Sequence, residues 1–457
     1  MQAGSSDLSP EKQKKELDYK LTLLLSIACS HHLMASYSIL LYPTTLRFRT
    51  AFSDSIIVAK SKKCNPFLFV CVSQNLVFPS LIYYNSNCQK TESWYTMKTI
   101  IKWPGGKSRE VEKIKHLIPE YDRYIEPFFG GGAVFFYLQP KHAIINDISP
   151  MLIRFYQLVK AQDASFHHYL LAYHESFQSL LAAATLHEAK ILDAYLSHSD
   201  SAIKAVVTEV LNQSLLSEDL ILDRTEFYKT VTFCVKDKFT RTEKNNKKSP
   251  FTEEDLKENL KTGFSSGFYI YFRNIYNRLA LHQLEAEETF VIANFYFIRE
   301  YCYGSMFRYN AAGEFNIPYG GISYNHKDFL AKINAIFQPE TAELFADTTI
   351  CNQDFEELFH GLTLTSRDFI FLDPPYDTEF SDYEGRDFTK NDQVRLANVL
   401  KNTKAQFILV IKNTDFIYQL YKDDFRILSF DKSYTYNVRS RNDRKVEHLI
   451  ITNIPEQ

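Results

Sequence analysis

Phe369-Ile370-Phe371-Leu372-Asp373-Pro374-Pro375-Tyr376 is the stretch on which the fold turns. Four apolar residues in a row, with no polar alternation, are typical of a parallel strand covered on both faces. Such strands belong to α/β sheets, where ligands sit beyond the carboxyl ends. The run stops at an acid followed by two prolines, which cannot continue a ladder and fix the backbone. Asp373 and the Pro374 carbonyl are thereby two acceptors aimed at one point, with the Tyr376 ring beside them. That set suits an exocyclic amino group on a flat heterocycle, its two hydrogens accepted and its ring stacked. A plain strand-ending turn is the bland alternative.

Working outward, the same texture recurs on both sides. Upstream, Tyr124-Ile125 runs into Glu126-Pro127-Phe128-Phe129-Gly130-Gly131-Gly132, a short strand feeding a glycine turn. A helix over Ala133–Leu138 should come next, and then a second strand, Ala143-Ile144-Ile145-Asn146-Asp147. The turn is not GxGxxG, and no lysine comes after it as in a P-loop, so a nucleotide phosphate is not its obvious guest. Asp147 ends its strand where an acid accepts ribose hydroxyls. Earlier still, Lys102-Trp103-Pro104-Gly105-Gly106-Lys107 is a turn-rich loop with an aromatic face and a cation. Downstream, Phe407–Ile411 and His448–Thr452 read as further strands. Residues 151–300 differ: Phe166–Leu196 and Gly267–Leu284 have helical spacing. Lys229–Lys248 carries seven Lys/Arg against two acids and reads as a solvated loop or a phosphate-binding patch. An α/β sheet thus begins, is interrupted by a mostly helical segment, and resumes.

These blocks, in this order, resemble the Dam-like group of DNA N6-adenine methyltransferases. That group has a lysine-tryptophan-glycine loop, a Pro-Phe-x-Gly-x-Gly turn, a target-recognition insertion and then Asp-Pro-Pro-Tyr. Arg308-Tyr309-Asn310-Ala311-Ala312-Gly313-Glu314-Phe315-Asn316-Ile317-Pro318-Tyr319-Gly320 is similar to its DNA-reading hairpin, and Arg439–Glu447 to its late basic hairpin. The resemblance covers about Met97–Ile454. It implies a Rossmann-like S-adenosylmethionine-dependent methyltransferase sheet with an inserted recognition domain. The parts would be an unmatched extension at 1–96, a first catalytic segment at 97–158, the insertion at 159–325, and a second catalytic segment at 326–457. It implies cofactor contacts at Trp103, Lys107, Phe128, Gly130, Gly132, Asp147, Asp354, Phe355 and Asp373. Asp373, Pro374, Pro375 and Tyr376 would handle the target base. Arg308, Asn310, Arg439, Arg441, Arg444 and Lys445 would meet double-stranded DNA. No metal is implied, and a cytoplasmic enzyme is expected, with a restriction endonuclease encoded nearby as a partner that forms no stable complex. The chain departs from the family at Glu188–Lys261, which has no counterpart, and at Pro104, where some members carry a smaller residue.

Composition narrows the alternatives. The 457 residues include 52 Lys+Arg and 55 Asp+Glu, a net charge of −3, so DNA binding must rest on local patches. Residues 97–457 alone carry 42 basic and 49 acidic residues. At 45% apolar and 23% charged, the chain is neither disordered nor polytopic. Seven scattered cysteines make no disulfide scaffold, and no Cys/His spacing suggests zinc. No Pro-Cys pair occurs, which argues against cytosine-C5 methylation by a cysteine nucleophile. N4-cytosine methylation is the near alternative, disfavoured by Asp rather than Ser before Pro374-Pro375. Methylation of RNA or of a protein amide is disfavoured by the long insertion. A binding module with a decayed pocket is disfavoured by intact Trp103, Lys107, Asp147 and Asp373. Between Gly4 and Gly105 there is no glycine, and Leu21–Leu46 carries no charge. Residues 1–96 are expected to be a poorly structured extension from upstream of a start at Met97. A membrane or targeting segment over Leu21–Tyr42 is the alternative.

Overall fold

Seven short strands assemble into one sheet in the computed structural model. It describes residues 97–104, 111–305, 308–375, 388–433 and 445–456, with 430–433 and 445–447 as backbone only. The chain divides into two units, residues 1–95 and 96–457. In the first, Ser55–Lys60 (β1), Phe67–Val72 (β2) and Leu81–Tyr84 (β3) pair antiparallel, as backbone. The expectation of a poorly structured extension does not hold for these three runs. Leu21–Tyr42 lies outside the described residues.

In the second unit the strands are Arg123–Glu126 (β4), Ala143–Asn146 (β5), Thr348–Cys351 (β6), Asp368–Leu372 (β7), Gln406–Lys412 (β8), Arg426–Ser433 (β9) and Lys445–Thr452 (β10). Their order across the sheet is β6-β5-β4-β7-β8-β10-β9. Counted from β4, that is 3-2-1-4-5-7-6: a doubly wound arrangement with one extra strand slipped in. The pairs among β4 to β8 are parallel, and β10 runs antiparallel to both β8 and β9. Strands β5 and β7 are buried along their whole length, as runs without alternation should be. Because β4 lies between β5 and β7, the loops leaving these three strands open at one edge of the sheet.

Between β5 and β6 the chain makes a helical excursion. Pro150–Ala161 packs back on the sheet side, and after it come Ala164–Leu186, Glu188–Ser197, Asp200–Gln213, Arg224–Lys248, Glu253–Ala280 and Glu288–Tyr301. Two expectations need correction here. The spacing over Phe166–Leu196 is two helices, because the chain turns at His187, which caps the first and starts the second. The turn places Glu188 where Lys261 reaches it at 2.8 Å, so the two ends of Glu188–Lys261 are pinned together. Lys229–Lys248 is not a loop: Asp223 caps a 25-residue helix there, its side chain accepting the Glu226 N–H at 2.9 Å. Three of its seven cations are paired, Lys236 with Asp200, Arg241 with Asp237 and Lys247 with Glu243, which leaves a weaker basic patch than the sequence suggests. Among the described residues no helix is long and apolar enough to cross a membrane.

Candidate active site

The sheet edge is built from the segments that leave β4, β5 and β7. After β4, Gly130 and Gly132 both adopt left-handed backbone, φ 49° and 64°. The turn is also packed too tightly for side chains. A Cβ on Gly130 would meet Trp103 Cδ1 at 2.8 Å, and one on Gly132 would run into the Phe129 ring. Helix Ala133–Leu138 starts at Gly132, on the residues expected.

Asp147 comes directly after β5 and is held by its surroundings. Its Oδ2 accepts the Gly130 N–H at 2.8 Å and its Oδ1 accepts the Ser149 N–H at 2.9 Å. A carboxylate oxygen can accept more than one donor, so the orientation set by these bonds is compatible with a pair of ribose hydroxyls. Next to it Asn146, buried, ties three strand ends together. Its Nδ2 donates to the Pro127 carbonyl and the Gln353 carbonyl, both at 3.0 Å, and its Oδ1 accepts the Gln353 N–H at 3.1 Å.

Beyond β6, Asp354 caps helix Phe355–His360 through Oδ1, which also accepts Arg395 Nη2 at 2.5 Å. Arg395 further pairs with Glu356 and Asp392 and lies 4.8 Å over the Phe355 ring. Phe355, Phe128 and Phe388 form a three-ring cluster, with centroids 5.5 to 5.8 Å apart. The adenine end of a nucleoside fits such a wall, with the Asp354 carboxylate at its side.

After β7, Asp373 is half-buried and Pro374 buried. The Pro375 carbonyl accepts Gln393 Nε2 at 3.2 Å from helix Lys390–Lys401. Glu126, at the end of β4, is buried, and its Oε2 accepts the Tyr124 hydroxyl at 2.7 Å. Burial pushes its carboxyl well above the usual carboxylate range; the Tyr124 hydrogen bond opposes this, and the charges of Asp373 and Asp147 add to it. Its neutral form is thereby favoured relative to a carboxylate in water.

The expected DNA-reading block is docked rather than loose. Tyr309 bridges to Phe315, and Asn277 clasps Phe315 from helix Glu253–Ala280, donating to its carbonyl at 3.0 Å and accepting its N–H at 2.8 Å. Tyr269 donates to the Ile317 carbonyl at 2.9 Å. The Asn310 carboxamide is taken up by its own turn, accepting the Ala312 and Glu314 N–H groups, so it shapes the loop. Arg308 is exposed, with no ion pair among the described residues. Lys107, Tyr376, Arg439, Arg441 and Arg444 lie outside the described residues, and Lys445 is described only as backbone at the start of β10. No cluster of metal ligands occurs among the described residues.

The structure thus brings Trp103, Phe128, Gly130, Gly132, Asp147, Asp354, Phe355 and Asp373 to one edge of the sheet. Sequence reasoning missed Asn146, Phe388, Gln393 and Arg395. An Asn directly before a strand-ending acid was the one local signal that could have found any of them.

Comparison with known proteins identifies the family, and its match runs through Glu188–Lys261, the segment expected to have no counterpart. The family model described as D12 class N6 adenine-specific DNA methyltransferase matches residues 103–262 and 205–436, more than half of the chain. The chain is 26% identical over 364 residues to the type II methyltransferase M.CviBI of Paramecium bursaria Chlorella virus NC1A, covering 78% of this chain and 100% of that protein. It is 26% identical over 345 residues to the type II methyltransferase M.MjaIII of Methanocaldococcus jannaschii, covering 71% and 88%. It is 23% identical over 368 residues to a DNA adenine methylase of Vibrio cholerae, covering 77% and 95%.

Proposed function

This chain belongs to the D12 class of N6 adenine-specific DNA methyltransferases, and on that premise we propose how its residues divide the work. The family transfers a methyl group from S-adenosylmethionine to the N6 of adenine in double-stranded DNA. The observation that carries the residue assignment is the convergence of Asp147, the Gly130–Gly132 turn and Asp373 at one sheet edge.

The donor set fits the cofactor. Asp147 offers two oriented oxygens to a ribose. Phe128, Phe355 and Phe388 offer an apolar wall to an adenine, and Asp354 has an oxygen, Oδ2, beyond the one committed to the cap and to Arg395. Trp103, Lys107, Gly130 and Gly132 close the amino-acid end. When bound, the cofactor supplies an electrophilic methyl on a sulfonium.

The residues of the chain do the rest by position. Asp373 and the Pro374 carbonyl accept the two hydrogens of the target amino group and turn its lone pair outward. Pro375 keeps that carbonyl in place, with its own carbonyl held by Gln393. Tyr376 stacks on the base, which must leave the duplex to get there at a cost of a few kcal/mol. This chemistry requires no metal and no covalent enzyme intermediate, only aimed acceptors and exclusion of water. Arg308, Arg439, Arg441, Arg444 and Lys445 are assigned to DNA contact on the family resemblance alone. The parts are a catalytic domain of 97–158 and 326–457 and a recognition insertion of 159–325, working in the cytoplasm. A restriction endonuclease encoded nearby, without a stable complex, accords with the type II names among the relatives.

The test is Asp373→Ala. It should lower the rate of N6 methylation by on the order of 10²-fold or more while leaving the unfolding temperature unchanged. Activity within about threefold of the parent would remove Asp373 from the mechanism. Sequencing N6-methyladenine in DNA from an expressing host would give the recognition site.

A further inference from the structure

The helix Glu288–Tyr301 belongs to the excursion between β5 and β6, yet it lies directly behind the loop that precedes β4. Arg299 on this helix is 1% exposed, a costly place for a guanidinium. Its Cζ stands 3.9 Å from the centroid of the Trp103 ring, and its Nε donates to the Lys102 carbonyl at 3.4 Å. One helical turn earlier the Tyr296 hydroxyl donates to the Ile100 carbonyl at 2.7 Å. The indole also packs closely on the glycine turn: a Cβ at Gly130 would come within 2.8 Å of Trp103 Cδ1, and one at Gly131 within 3.2 Å of Trp103 Cβ. Gly130 in turn gives its N–H to Asp147 at 2.8 Å. A single line of contacts therefore runs from Arg299 through Trp103 and Gly130 to the Asp147 carboxylate.

We infer that Arg299 is a positioning residue for the cofactor site: it presses Trp103 onto the glycine turn and so sets the place of Asp147. The inference rests on the assignment of Trp103 and Asp147 to the cofactor made under Proposed function. A desolvated cation over an indole face is the strong form of this contact. An apolar side chain would fill the space without orienting the ring. The helix that carries Arg299 is also tied to the DNA-reading block, since the Tyr301 carbonyl accepts the Gly320 N–H at 3.0 Å and Tyr303 donates its N–H to the Pro318 carbonyl at 2.8 Å. Arg299 therefore joins the cofactor loop to the element that meets DNA.

The experiment uses the full chain carrying Trp94→Phe, so that Trp103 is the sole tryptophan. In this background Arg299→Met, Arg299→Lys, Trp103→Ala and the Arg299→Met/Trp103→Ala pair are compared. Calorimetry gives the affinity for S-adenosylmethionine, and steady-state assays give kcat and the KM for the cofactor. Arg299→Met should weaken cofactor binding about tenfold and raise its KM in step, with kcat at saturation within about threefold and Trp103 emission shifted to the red. Arg299→Lys should recover part of the affinity. The double variant should bind no more weakly than Trp103→Ala alone, because Arg299 acts through the ring. Should Arg299→Met fail to fold, Arg299→Lys decides: an unchanged KM and emission overturn the proposal. So do losses that simply add in the double variant. If Trp103→Ala itself leaves the affinity untouched, the assignment of the cofactor site fails, and with it the premise rather than the contact.

Discussion

Asp147 accepts two backbone N–H groups before any ligand arrives, and this makes its substitution informative. In Asp147→Asn one of the two oxygens becomes an NH2, so a donor faces a donor at Gly130 or Ser149. The glycine turn must then shift. The expected loss in S-adenosylmethionine affinity is about 1–3 kcal/mol by calorimetry, with a lower unfolding temperature. Asp147→Ala should lose as much affinity. An undiminished affinity in both variants would put the ribose elsewhere. Arg308 poses a different question, because an arginine fork reads guanine in the major groove or merely holds phosphate. If it reads a base, Arg308→Ala should relax preference at one position of the site, by roughly 1–3 kcal/mol in competition binding. A loss equal for every duplex, with a shallower salt dependence, identifies a phosphate contact. Single residues were legible in the sequence when their meaning was local. Asp373 before two prolines and the glycines after a strand could be read where they stand. Arg299 could not, because its partner Lys102 is 197 positions away and an arginine in a helix looks like a surface residue.

At the scale of elements, strands buried on both faces were legible as unbroken apolar runs, and β7 and β8 fall within one residue of the expected ends, whereas β6 and β9, which lack such runs, were not read. Long helices of the insertion were harder to bound, since the cap at Asp223 rests on one side chain and the turn at His187 on backbone hydrogen bonds alone. The joint between helix Glu288–Tyr301 and the return to the sheet was also invisible. There the wholly buried Glu300 pairs with Lys327 at 2.8 Å. Burial pushes the Glu300 carboxyl up, but Lys327, Lys332 and Lys102 outweigh it and hold it below its ordinary value. Its contribution to stability is therefore full above the unfolded carboxylate range and is lost as pH falls through the lower folded value. Lys327 behaves differently: burial, with Lys102, brings it down to about 8 against the pull of Glu300. Its charged form is disfavoured by the fold, so this group's effect on stability improves as pH climbs from about 8 towards 10.5. Lys327→Met leaves Glu300 without its nearest cation and should cost about 3–5 kcal/mol in urea unfolding at a pH of about 7.5. The deficit should shrink in acid, as Glu300 takes up a proton, and Glu300→Gln in the same chain should recover most of it. A deficit independent of pH would mean that lost packing, not the stranded charge, is responsible.

For the whole molecule the question is which residues the activity needs. Residues 96–457 form one unit and hold all seven strands of the catalytic sheet, together with the helical insertion. The family match, 103 to 436, falls wholly inside that unit, and an alignment that leaves out about a fifth of this chain still covers all of the viral relative. The contacts described for the candidate site, from Trp103 to Gln393, are between residues of this unit. A core built around parallel strands and long insertion helices has the size of an independently folding domain pair. The charge points the same way: residues 97–457 carry 42 basic and 49 acidic residues, so cutting away 1–96 removes ten cations and six acids. If those ten cations served DNA binding, their loss would flatten the salt dependence, because fewer counterions would be released. A chain starting at Met97 is therefore expected to unfold in a single transition at the parent's temperature, to bind S-adenosylmethionine equally well, and to methylate DNA with kcat/KM within about threefold and an unchanged slope against salt. Thermal scans, calorimetry and methylation assays at two salt concentrations make the comparison. A shallower slope with an intact fold would assign the extension to DNA, and a collapse of the fold would make β1–β3 part of the structural core.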